Sequence, residues 1–233
     1  MITITNLSKS YSKHQVVDDL SLQIPKGSIF GFLGPNGAGK TTTMKMIVGL
    51  ATMSAGRVEV DGNNLKKIRA RENIGYMPED PYFYDHLNAM ELLEFMASLF
   101  RARQPKEKLI SILEQVGLAN VAKKKIRYFS KGMKQRLGLA QALVNDPDYL
   151  FLDEPLDGLD PIGRLEFKRI FLQLNREGKT IFFNSHVLSD VEEICDRIGI
   201  INRGKLIYAG DVKSFCGKKS LEKRFVEIIS ALN

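Results

Sequence analysis

The run Gly34-Pro35-Asn36-Gly37-Ala38-Gly39-Lys40-Thr41 constrains this chain more than any other stretch. It fits the pattern GxxxxGK[ST]. It follows the apolar run Ile29-Phe30-Gly31-Phe32-Leu33 and precedes Met44, Ile47 and Val48, spaced for a helix. A buried strand, a glycine loop and a helix, in that order, form the context in which this pattern binds phosphate. Gly37 and Gly39 let the backbone turn sharply and approach an anion closely. The freed N–H groups and the positive end of the helix then point at phosphate oxygens. Lys40 adds a mobile charge for the β- and γ-phosphates, and Thr41 offers a hydroxyl to Mg2+. The expected ligand is ATP or GTP, with Mg2+.

A second motif sharpens this expectation. Tyr149-Leu150-Phe151-Leu152-Asp153-Glu154 is an apolar strand ending in two carboxylates. Such a strand can place Asp153 beside the metal. Glu154 can accept a proton from an attacking water, or polarise it.

The rest of the chain supplies a frame for these motifs. The first 33 residues read as short strands, broken by Pro25-Lys26-Gly27. Residues 57–62 read as an edge strand closing in a turn. From about Tyr82 the spacing turns helical: Leu92, Phe95, Met96 and Leu99, then Leu109, Ile112, Leu113 and Val116. Met133, Leu137, Ala140 and Val144 predict another helix. Beyond it, strands at 149–152, 180–183 and 198–201 alternate with helical segments, including Phe167, Ile170, Phe171 and Leu174. That alternation predicts a parallel sheet covered by helices. The tail from Lys218 to Asn233 reads as a helix, basic and then apolar.

Composition limits the alternatives. The chain has 233 residues, 44% apolar and 26% charged, which suits one large domain or a core with a small subdomain. No apolar run approaches the roughly 18 residues of a membrane-spanning helix. Residues 1–7 lack the basic and apolar regions of a secretory signal, so the expectation is a cytoplasmic protein. Cys195 and Cys216 stand apart and read as reduced thiols. The 34 basic and 27 acidic residues give +7, which reads as a solubility charge while allowing an anionic partner.

Taken together and in this order, the motifs resemble those of the ATP-binding cassette (ABC) ATPases, over about Ile2 to Gly210. The resemblance implies an α/β fold: a P-loop NTPase core with a mainly parallel sheet flanked by helices, an N-terminal antiparallel β subdomain and an inserted α-helical subdomain. It implies a single nucleotide-binding domain over 1–210, with core segments 1–81 and 129–210, a helical subdomain at 82–128, and a helical tail at 211–233.

The resemblance also assigns residues. Gly34 to Thr42 would bind nucleotide, with Pro35, Asn36, Gly37, Ala38 and Gly39 in the loop. Tyr11 would stack on adenine. Phe129-Ser130-Lys131-Gly132-Met133 stands where the family commonly has Leu-Ser-Gly-Gly-Gln. Ser130, Lys131 and Gly132 would meet the nucleotide of a second cassette, and Ser130 is also a good helix N-cap. Asp157-Gly158-Leu159-Asp160 resembles the D-loop, with Asp160 facing nucleotide. His186 would contact the γ-phosphate. Glu79 stands where the family usually has a metal-sensing glutamine, and with Thr41 and Asp153 it completes the expected Mg2+ set. Lys40, Glu154 and His186 are the expected catalytic residues.

The implied function is Mg-ATP hydrolysis by a cassette that dimerises on ATP, with itself or a paralogue. It would drive transport through a separate transmembrane permease, from a peripheral position on the cytoplasmic face of the cell membrane. The runs Gly-Tyr-Met-Pro-Glu-Asp and Phe-Ser-Lys-Gly-Met-Lys-Gln-Arg look most like bacterial exporter-type subunits. The alternatives are a soluble ABC ATPase acting on nucleic acid or ribosomes, suggested by Lys123-Lys124-Lys125, Arg127, Lys131, Lys134 and Arg136, or a low-turnover ATP-gated switch. No nucleic-acid partner is expected under the transport reading.

Overall fold

The computed structural model describes residues 1–65, 67–100 and 104–232. Strands β1 (Ile2–Tyr11) and β2 (His14–Ile24) form an antiparallel hairpin. β3 (Ile29–Leu33) runs through the glycine loop into α1 (Lys40–Ile47). β4 (Ala55–Val60) returns to pair with β1, and the two-residue β5 (Asn63–Asn64) pairs with β4, giving the order β2-β1-β4-β5. The segment 57–62 is therefore not an edge strand. Asp61 and Gly62 both take positive φ, 48° and 75°. That is the geometry of a tight two-residue hairpin turn, and it folds Asn63 and Asn64 back along the outside of β4.

β6 (Ile74–Met77), β7 (Tyr149–Asp153), β8 (Thr180–Asn184), β9 (Arg197–Asn202) and β10 (Lys205–Asp211) join β3 in a second sheet, ordered β10-β9-β3-β8-β7-β6. Its neighbours are parallel except for the β9–β10 hairpin. The helices are α2 (Ala89–Ser98), α3 (Lys106–Gln115), α4 (Lys131–Leu143), α5 (Pro161–Arg176), α6 (Leu188–Ile194), α7 (Val212–Cys216) and α8 (Leu221–Ala231). The α/β class and mainly parallel sheet agree with the sequence expectation.

β3, β7 and β8 are buried at every position, as strands covered on both faces must be. Alternate side chains serve two cores. Phe30, Phe32, Tyr149, Phe151 and Phe182 join the core of the first sheet and α1. Ile29, Leu33, Leu150, Leu152, Ile181 and Phe183 join the core built by the helices. Phe182 is the hub of the first core, with the rings of Phe30, Phe32 and Phe151 at 5.7, 5.4 and 5.5 Å. At Gly31 a Cβ would lie 2.6 Å from Val191 Cγ1, so α6 reaches the sheet through a missing side chain.

In α2 the buried face differs from the one predicted. Ala89, Leu92, Leu93 and Ala97 are buried, whereas Phe95 is 43% and Leu99 65% exposed. An Asn88–Glu91 capping box fixes the start of the helix, with bonds of 2.9 and 2.7 Å. Leu99 then falls at the C-cap, beyond the last packed turn. The tail helix starts at Leu221 rather than Lys218, because Ser220 caps it and Glu192 accepts the Leu221 amide at 3.2 Å.

Candidate nucleotide site

The parallel strands β3, β7 and β8 end side by side, and their carboxyl ends carry the chemistry. β3 delivers the glycine loop, β7 delivers Asp153 and β8 delivers Asn184. Gly39 takes φ 107° as the N-cap of α1, and a Cβ there would meet the Val16 carbonyl oxygen at 2.8 Å. A Cβ at Gly34 would meet the Ile201 carbonyl oxygen at 2.3 Å. The loop thus fits between β2 and β9 only as glycine.

Lys40 is buried, and its ammonium donates to the carbonyls of Gly34 at 2.7 Å and Pro35 at 3.2 Å. Burial pushes its pKa below the ordinary lysine value, while Glu154, Asp153 and Glu79 pull it up. Lys40 is therefore a cation stored against its own loop, with nearby anions too few to offset its lost hydration.

Asp153 is buried and Thr41 Oγ1 donates to its Oδ1 at 3.1 Å. Asn184 Nδ2 donates to the same oxygen at 2.6 Å, and Asn184 Oδ1 accepts the Glu154 amide at 2.8 Å. Glu154 itself takes φ +47°. For a residue other than glycine this costs about 1–3 kcal/mol and survives only where neighbours fix it. Here Asn184 holds its amide, while the His186 amide and Nδ1 lie 3.2 and 2.9 Å from its Oε2. His186 is half exposed, so its ring can reach a ligand as well.

These groups converge on a cavity of about 490 Å³, lined by Asn36 to Thr42, Glu79, Glu154, Asp157, His186 and Val16. Asp153 meets it through Thr41, and Gly34 and Pro35 through the Lys40 ammonium. A neighbouring cavity of about 470 Å³ gathers Ser130, Lys131, Gly132 and Asp160. Ser130 Oγ caps α4 and Asp160 Oδ1 caps α5. The structure thus separates the expected site residues into two sets. Tyr11 lines neither cavity: it ends β1, 51% exposed, with Lys9 Nζ 4.6 Å from its ring centre.

The family profile described as ABC transporter matches residues 17–157. This chain belongs to the ABC transporter family. Within that family, an uncharacterized ABC transporter ATP-binding protein of Synechocystis is 46% identical over 209 residues, covering 88% of this chain. This chain spans 59% of that relative's length. The lantibiotic transport ATP-binding protein SrtF of Streptococcus pyogenes is 39% identical over 225 residues, 97% of this chain and 96% of that protein. A solved ATP-binding subunit of an ABC transporter superposes with a TM-score of 0.90 at 27% identity, covering 98% of this chain and 99% of that one.

Three further residues support the candidate site without standing in any of its motifs. Asn184 bridges Asp153 and Glu154, and its only signal was a polar residue ending an apolar strand. Ser185 Oγ accepts the Val187 amide at 3.0 Å and so shapes the turn that presents His186. Gln135, buried in α4, donates to the Glu79 carbonyl at 3.3 Å. It links the helix that Ser130 caps to Glu79, at the rim of the larger cavity.

Proposed function

We propose that this chain is the ATP-hydrolysing subunit of a membrane transporter, which dimerises on ATP and drives substrate through a separate permease. The observation that carries this reading is the convergence of Lys40, the Thr41–Asp153 pair and the Glu154–His186 pair on one cavity beside the glycine loop. Phosphoryl transfer needs mainly positioning and charge stabilisation. Lys40 has only to turn from two carbonyls to the triphosphate. Glu154 is held at a fixed angle from which its carboxylate can orient a water and take its proton. His186 touches that carboxylate and is exposed enough to meet the γ-phosphate.

The donor set suits Mg2+, which takes oxygen ligands and keeps one or two carboxylates plus phosphate and water. Thr41 and Asp153 would hold it, with Glu79 at the rim. Among the described residues no group of three or more His, Cys, Asp or Glu could hold a metal ion alone, so phosphate and water would complete the shell. Bound there, the ion would neutralise charge on the phosphates.

Ser130, Lys131, Gly132 and Asp160 lie outside the phosphate cavity, which suits a role toward the nucleotide of a second cassette, packed head to tail. Tyr11 is exposed on the hairpin that also supplies Val16, open to stack on a base. We take 1–81 and 129–210 as the core, 82–128 as the helical subdomain and 211–233 as the tail. Tyr82, Tyr84, Phe95 and Leu99 are exposed apolar residues in that subdomain, and Tyr84 and Phe95 meet edge to face at 6.1 Å. They suit a permease that docks there and holds the chain on the cytoplasmic face of the membrane. Among the described residues no helix is long and apolar enough to cross a membrane.

The basic runs that suggested nucleic acid are largely engaged. Lys125 pairs with Glu91, Lys131 with Asp157, Lys134 with Asp85 and Arg136 with Glu166.

Light scattering with an ATPase assay tests the proposal. Glu154→Gln is expected to bind ATP, accumulate dimers and lose turnover by about 10²–10⁴-fold, the range of a general base. Hydrolysis at the wild-type rate in that variant would remove Glu154 from the chemistry. Purification from detergent-solubilised membranes is expected to bring down a membrane-spanning protein, and its absence would count against the transport role.

A further inference from the structure

Two basic residues of α5 share one buried acid of α6. Arg164 Nη1 lies 3.3 Å from Asp190 Oδ2, and Lys168 Nζ lies 3.4 Å from Asp190 Oδ1. Lys168 also pairs with Glu193. The Asp190 side chain is only 8% exposed. A carboxylate so buried must be paired, because an uncompensated charge there is strongly destabilising. Lys168, itself buried, already meets that need. A second cation on the same carboxylate calls for another explanation.

Arg164 makes a contact that Lys168 does not. Its Nε donates to the Leu159 carbonyl at 3.3 Å. The planar guanidinium holds its donors at a fixed spacing, which a lysine cannot do. One end of this brace is thus the turn 157–160, and the other is α6. The two ends differ in anchorage. α6 is seated on the sheet, with Val191 packed against Gly31, whereas Gly158 and Asp160 in the turn are exposed. Asp157 stands two residues before Leu159, and His186 stands two residues before Leu188, where α6 begins. Asp157 and His186 line the same cavity. Arg164 therefore sets the separation of two walls of the phosphate cavity, although it lines none of it.

Building on the nucleotide reading above, we propose that Arg164 is a positioning residue: through the Leu159 carbonyl and Asp190 it fixes the turn 157–160 against His186, so that the γ-phosphate of ATP is met in one geometry. Its charge is not what matters, since Lys168 neutralises Asp190 without it. What matters is the span from one carbonyl to one carboxylate.

The test combines turnover with affinities for Mg-ADP and for the Mg2+ complex of an ATP analogue whose β–γ bridge cannot be hydrolysed. The stoichiometry of ADP binding counts the folded sites. Arg164→Met is expected to keep its ADP affinity and to lose about threefold of its preference for the analogue over ADP. Its kcat per site is expected to fall about tenfold, because small misplacements around reacting groups are costly. Arg164→Lys keeps a charge beside Asp190 but loses the span, so its kcat is expected to match that of Arg164→Met. Asp190→Ala cuts the other end of the brace and is expected to lower kcat by a similar factor. The double variant Arg164→Met/Asp190→Ala is expected to fall no lower than the slower single variant, as for two residues of one unit. Full turnover in Arg164→Met, recovery of kcat in Arg164→Lys, or losses that multiply in the double variant each overturn the proposal. So does an equal loss of ADP and analogue affinity, which would mark general disruption of the site. A wild type that binds neither nucleotide overturns the nucleotide reading itself, and this proposal with it.

Discussion

Asn184 shows how much of the candidate site depends on one uncharged side chain. Its amide group satisfies a buried carboxylate on one side and the strained backbone of Glu154 on the other. Asn184→Leu would leave the Glu154 amide without that partner and Asp153 with only Thr41 of the two donors, at a cost of about 1–3 kcal/mol for an orphaned buried group. Urea denaturation is expected to show that loss, and nucleotide binding is expected to need more Mg2+, because Asp153 loses its fixed orientation. Unchanged stability would mean that the two acidic residues are held by other contacts. Lys40, Asp153 and Glu154 could be singled out in the sequence because each stands at a fixed place in a motif tied to phosphate chemistry, whereas His186 came only through the resemblance to the ABC ATPases. Asn184, Ser185 and Gln135 could not, because their partners are 31, 2 and 56 positions away and two of those links exist only after the sheet has formed.

At the level of elements, the phosphate loop and the sheet depend on side chains that are absent. Gly39→Ala must place a methyl against the Val16 carbonyl and force φ 107° on a residue that resists it. Nucleotide affinity is expected to drop at least tenfold by equilibrium dialysis, and wild-type affinity would show that the loop tolerates a side chain. Gly31→Val would drive α6 off β3, with a cost of about 1–3 kcal/mol, as for other overpacked cores. A thermal melt is expected to register it as a lower midpoint. The strand–loop–helix unit was readable because an apolar run, a glycine loop and a helical spacing stand in sequence order. The face of α2 and the interior place of β4 were not. Apolar spacing identifies a helix without saying which residues its neighbours cover, and a strand's position in a sheet depends on a partner elsewhere in the chain.

Across the whole molecule, exposed ion pairs set the response to acid. Asp146 is held below its ordinary value chiefly by a Lys179 hydrogen bond, Asp148 by Asn73 and Lys26, and Asp157 by Lys131. A carboxyl with a lowered folded-state pKa contributes its full stability above the unfolded value of about 4 and loses it as pH falls through the lowered value. Stability is therefore expected to hold from neutral pH down to about 4 and to decline below it. A midpoint that rose on acidification in that range would contradict the assignment. The α/β architecture was legible because alternating motifs leave few ways to build a parallel sheet. The division of site residues between two cavities was not, because it requires the folded loops around Asp157 and Ser130. Lys40 and the glycine loop must grip a nucleotide for anything else at the site to act, so the decisive measurement is calorimetric titration of Mg-ATP into the wild type and Lys40→Ala. One ATP per chain is expected to bind the wild type with a clear heat, and Lys40→Ala is expected to lose most of that affinity; equal binding by both proteins, or binding by neither, would rule out this role for Lys40 and its loop.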